Sequence, residues 1–114
     1  PTMAVYFATK AYVLSFSEAV DNEVSDKGVT VTALCPGATE SGFIEAAGMK
    51  ESNLIEGKKL PTSKEVAEYG YHSMMKGKTV AIHGFMNWIL ANSSRFVPRA
   101  FAVLLTRKIV EKAT

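Results

Sequence analysis

Tyr6 and Lys10 are the residues whose types and spacing offer the most chemistry. They stand four apart in a run of good helix formers, so one helical face carries both. An ammonium beside a phenol favours the phenolate, and a Tyr tuned in that way gives a proton to a carbonyl oxygen or takes one from an alcohol. Taken alone, the pair has a plain alternative, because Tyr and Lys meet at this spacing by chance on many helices. The remaining reactive types point to nothing sharper. Cys35 sits in a β-branched run and reads as a small buried hydrophobe. His72 and His83 have no ligand spacing with each other or with Cys35, so no metal site is expected. Met74 and Met75 at a helix end read as core or gap-filling residues.

These side chains need elements to position them. The first is a helix from about Val5 to Lys27, with Gly28 at its C-terminal stop. Between Met3 and Val20 its only charges are Lys10 and Glu18, and apolar residues lie on every side. A helix of that kind has to be covered all round, so a partner surface is expected on it. From Asp21 onward charges return and the helix end should be solvated. Val29 to Cys35 then reads as a buried parallel strand, stopped by Pro36-Gly37. Pro36 to Leu60 is polar and glycine-bearing, a long loop with a turn of helix near Phe43 to Ala47. Thr62 and Glu65 form a capping box that opens a second helix to about Lys76, with Gly77 behind it. Thr79 to His83 is a second short strand ended by Gly84, and the tail from Phe85 to Ala113 reads as two helices broken near Val97-Pro98. The order α, β, loop, α, β, α, α is the rhythm of an α/β parallel sheet.

With the elements in place, the segment from Tyr6 to Ala19 (Tyr6-Phe7-Ala8-Thr9-Lys10-Ala11 and onward) resembles the active-site helix of the short-chain dehydrogenase/reductase family. That family carries Tyr-x-x-x-Lys there, followed by a short turn, a buried strand and Pro-Gly. Here 25 residues separate Lys10 from Pro36-Gly37, which follow the strand in the same order. The resemblance is specific from about Met3 to Phe43 and looser through the second helix and strand. It implies an α/β fold, the C-terminal part of a Rossmann-like doubly wound parallel sheet with its last two strands and flanking helices. It implies hydride transfer between NAD or NADP and a small carbonyl or alcohol substrate, with Tyr6 as general acid or base. Lys10 would assist Tyr6 and hydrogen-bond the nicotinamide ribose. Pro36 and Gly37 would approach the nicotinamide at a strand end, with Thr39 and Ser41 as further cofactor contacts. Gly42 to Leu60 falls where the family has its substrate-binding segment, and the Tyr-bearing helix commonly packs against its copy, so a homo-oligomer through the first helix is expected.

Composition bounds this reading. The chain has 114 residues, 47% apolar and 21% charged, with a net charge of +2, which speaks against a dedicated nucleic-acid binder. Its single cysteine rules out an internal disulfide and fits a reducing, cytoplasmic setting. Pro1-Thr2-Met3 shows no basic n-region of a signal peptide, and Thr79 to Ser94 falls short of a membrane-spanning length. No two of the eight glycines are two apart, so the Gly-rich pyrophosphate turn of a dinucleotide fold is absent. The resemblance therefore implies that residues 1–114 are the C-terminal portion of one family domain, inactive without its nucleotide-binding half. Two alternatives stand beside it. One is a non-catalytic module that acts through its apolar first helix. The other is a peripheral membrane segment built on the tail, where Arg95, Arg99, Arg107, Lys108 and Lys112 face Glu111 alone. A docked helix with a solvated basic face is the plainer explanation of that tail.

Overall fold

The structure, a computed structural model, describes residues 3–42, 59–93 and 95–110. Helix α1 spans Ala4–Val24 and passes into a 3-10 turn at Ser25–Lys27. Gly28 closes the turn at φ 71°, a left-handed conformation open to a residue without Cβ, and its N–H donates to the Ser25 carbonyl at 3.1 Å. Strand β1 (Ala33–Cys35) follows, then α2 (Ser63–Met75), β2 (Val80–Ile82), α3 (Phe85–Ser93) and α4 (Arg99–Val110). The β1 and β2 strands pair in parallel with Ala33 opposite Val80, Leu34 opposite Ala81 and Cys35 opposite Ile82. Parallel neighbours require a crossover, and α2 is the helix within it.

The N-terminus of α2 is held as its sequence predicts. Glu65 N–H donates to Thr62 Oγ1 at 3.3 Å and Thr62 N–H donates to Glu65 Oε2 at 2.7 Å. These reciprocal bonds satisfy donors that the first helical turn leaves open. Against the sheet, α2 presents Val66, Gly70 and Ser73, all buried. Gly70 is needed for close approach, because a Cβ there would lie 2.7 Å from Leu34 Cδ2. Tyr69 ties the helix to the strand end, its hydroxyl donating to the Ile82 carbonyl at 2.9 Å. The buried apolar core among the described residues is small: Ala33, Val66 and Ala81.

Several expectations need correction. The strands extend over three residues each, shorter than Val29–Cys35 and Thr79–His83. At β1 the reason is local, since Val31 N–H donates to Asp21 Oδ1 at 2.7 Å instead of to a neighbouring strand. Beside β2 the Thr79 carbonyl still accepts from Ala33 N–H at 2.8 Å, His83 N–H donates to the Cys35 carbonyl at 3.3 Å, and Thr79 Oγ1 donates to Asp21 Oδ2 at 2.7 Å. Asp21 is accordingly half-buried and clasps the start of both strands, where a solvated helix end was expected. Met74 and Met75 are exposed and fill no core. Cys35 is half-buried. The expected helical turn at Phe43 to Ala47, and most of the Pro36 to Leu60 loop, lie outside the described residues.

Candidate active site

Tyr6 is half-buried and Lys10 exposed on the first turns of α1, where the i, i+4 spacing stacks them. Lys10 Nζ lies 5.5 Å from the centroid of the Tyr6 ring, so the cation rests over the π face. Thr9 Oγ1 donates back to the Tyr6 carbonyl at 2.8 Å, and the Phe7 ring meets the Tyr6 ring edge-on at 5.7 Å between centroids.

The second group of expected residues sits beyond the C-terminal end of β1. The Asp21–Val31 bond sets the relative height of helix and strand. Helix α1 packs on β1 and carries Tyr6 and Lys10 on its first turns. Thr39 Oγ1 donates to the Gly37 carbonyl at 3.0 Å, so its hydroxyl shapes the turn. Further along, Glu40 N–H donates to the Pro61 carbonyl at 2.9 Å and Ser63 Oγ to the Glu40 carbonyl at 2.8 Å. These bonds clamp the segment against the start of α2. Ser41, next in the chain, is exposed.

Asn87 joins this end of the sheet without having been anticipated. Its Nδ2 donates to the His83 carbonyl at 2.8 Å, and its amide lies over Gly37 so closely that a Cβ on Gly37 would overlap it. A shallow groove of about 560 Å³ opens beside it, lined by Leu60, Pro61, Glu65, His83, Gly84 and Asn87. The signal for Asn87 is faint in the sequence, since its contact with Gly37 depends on the parallel register of β1 and β2.

Charge at this end is set by hydrogen bonds and burial. The Thr62 N–H, and then its hydroxyl, hold the Glu65 carboxyl below the usual carboxylate value. Burial pushes the Cys35 thiol up, and the Glu18 charge adds to it, which makes this cysteine a poor nucleophile. Among the described residues no three His, Cys, Asp or Glu side chains gather closely enough to hold a metal ion.

Residues 1–52 match the family model described as short chain dehydrogenase. This stretch is similar to short-chain dehydrogenases. It covers α1 with Tyr6 and Lys10, strand β1, and the turn through Ser41. No curated protein and no solved structure matches the chain. The match covers residues 1–52 of the 114 and likens that stretch to a family of oxidoreductases that generally use NAD(P). The phenol of Tyr6 and the ammonium of Lys10 are donors of the kind that ribose hydroxyls accept. The pyrophosphate finds no Gly-x-Gly turn in the 114 residues.

Proposed function

We propose that the chain is the C-terminal portion of a short-chain dehydrogenase whose whole domain is a doubly wound parallel sheet, with β1 and β2 as its last strands. The reading is carried by one observation: Lys10 Nζ stands 5.5 Å from the Tyr6 ring, inside the segment that matches the family model. NAD or NADP, when bound, would supply the hydride. The chain's own part is protonic and positional. Tyr6 gives its hydroxyl proton to a substrate carbonyl oxygen, or accepts one from an alcohol in the reverse direction. Lys10, over the Tyr6 ring, assists it in position and binds the nicotinamide ribose. Pro36 and Gly37 bring backbone to the nicotinamide, and Thr39 and Ser41 contribute polar groups along the same turn.

The exposed apolar side chains of α1, among them Val5, Tyr12, Val13 and Phe16, support packing of this helix against its copy in a homo-oligomer. A cytoplasmic setting fits the lone, unreactive cysteine. The test is oxidation of NADH or NADPH by the whole encoded polypeptide over a panel of ketones and aldehydes. Turnover with either cofactor is the expected result. Failure to bind either nucleotide would overturn the reading.

A further inference from the structure

Helix α3 is turned inside out. Its polar residues Asn87, Asn92 and Ser93 are half-buried, and Asn87 is anchored inward on His83 and Gly37. Its large apolar residues point the other way: Phe85 is 75% exposed and Trp88 53%, with Met86 and Leu90 beside them. The rings of Phe85 and Trp88 stack outward, 11° from parallel. The pattern continues past the helix, where Phe96 is 88% exposed, and into α4, where Phe101, Leu104 and Leu105 are exposed while Ala102 and Thr106 are half-buried. An apolar surface of this extent demands a cover.

Charge says what kind of cover fits. Up to Glu68 the sequence holds six basic and ten acidic residues; after it come seven basic residues and one acidic, Glu111. The apolar residues of α3 and α4 are therefore interleaved with Arg95, Arg99, Arg107 and Lys108 and with no carboxylate. A second copy seated symmetrically on this surface would set these cations against themselves. An anionic lipid surface supplies both complements, acyl chains for Phe85, Trp88, Leu90 and Phe96 and phosphates for the arginines. No helix among the described residues is long and apolar enough to cross a membrane, so the segment would lie in the interface.

We propose that residues 85–108 form a peripheral docking surface for anionic phospholipid membranes, with Trp88 inserted at the headgroup level. The inference is independent of the oxidoreductase reading, and its test does not use activity. The whole encoded polypeptide is mixed with vesicles of phosphatidylcholine alone or with phosphatidylglycerol added, and binding is read by flotation and by tryptophan emission, with Trp88→Phe identifying the signal. Flotation with the anionic vesicles and a blue shift that Trp88→Phe removes are expected. The pair Arg95→Gln and Arg99→Gln should lower the partition coefficient about thirty-fold, two basic residues' worth of attraction to the surface. Leu90→Glu with Phe96→Glu, both at exposed positions, should abolish insertion without unfolding the chain. The proposal is overturned if the neutral and anionic vesicles bind alike, or if either pair of substitutions leaves binding unchanged. It is equally overturned if the Trp88 shift arises without lipid and grows with protein concentration, which would mark a protein partner.

Discussion

Gly37 and Asn87 make the most exacting prediction about this end of the sheet. A Cβ at Gly37 would overlap the Asn87 Nδ2 and stand 2.7 Å and 2.9 Å from its Cγ and Oδ1, so Gly37→Ala must displace the whole amide. Displacement breaks the Asn87–His83 hydrogen bond, a loss of about 1 kcal/mol. It also drives the side chain off its rotamer, at about 1 kcal/mol more. Alanine in place of glycine constrains the unfolded chain and returns roughly 0.5 kcal/mol. The net effect of Gly37→Ala is thus a destabilisation of about 1.5 kcal/mol. With Asn87→Ala already present there is nothing to displace, and the same substitution should stabilise by about 0.5 kcal/mol. Urea unfolding of the four proteins, followed by far-ultraviolet circular dichroism, gives a coupling energy of about 2 kcal/mol if this packing holds. Additive effects, or a Gly37→Ala that destabilises equally in both backgrounds, would refute it.

Other consequences are simpler to state. Thr62→Ala removes the hydroxyl that accepts from the Glu65 N–H, leaving the backbone half of the capping box, and should cost about 1 kcal/mol, a fall of about 4 °C in the thermal midpoint; no change would mean that α2 is held by packing alone. The Asp21 carboxyl is held below its ordinary value first by the Val31 N–H and then by the Thr79 hydroxyl. A group depressed in the folded state stabilises above its unfolded value, near pH 4, and loses that contribution as pH falls further. Asp21→Asn should therefore flatten the acid limb of the stability profile below about pH 4, as read from urea midpoints across the acid range; an unchanged acid limb would contradict the clasp.

The parts of the molecule legible from its sequence are those governed by local rules. The Gly28 stop, the Thr62–Glu65 box, the break at Pro98 and the i, i+4 placement of Tyr6 over Lys10 depend on residues close in the chain, and each is where its local chemistry places it. The strands were read too long because a β-branched run shows propensity and not the presence of a neighbour, and Val31 finds Asp21 in place of one. Asp21 itself looked like a solvated charge near the end of a helix. Its role depends on Thr79, 58 residues away, which no local pattern can show. The orientation of α3 failed to show for a related reason. Apolar residues are expected to face inward, whereas here the polar Asn87 is drawn in by the His83 carbonyl and by the space above Gly37. Of the residues expected around a nicotinamide, Tyr6 and Lys10 meet on α1 and Pro36 to Thr39 follow β1 in the chain, with Ser41 exposed just beyond.

In the proposed reaction Tyr6 moves the proton. The most direct test of that step is the turnover number of Tyr6→Phe in the whole enzyme at saturating cofactor and substrate, with nucleotide affinity measured beside it. Loss of the phenol should lower turnover at least about a hundredfold while cofactor affinity stays within a small factor, the range for removing a positioned acid–base group. A Tyr6→Phe enzyme that turns over within a few-fold of the parent would contradict it.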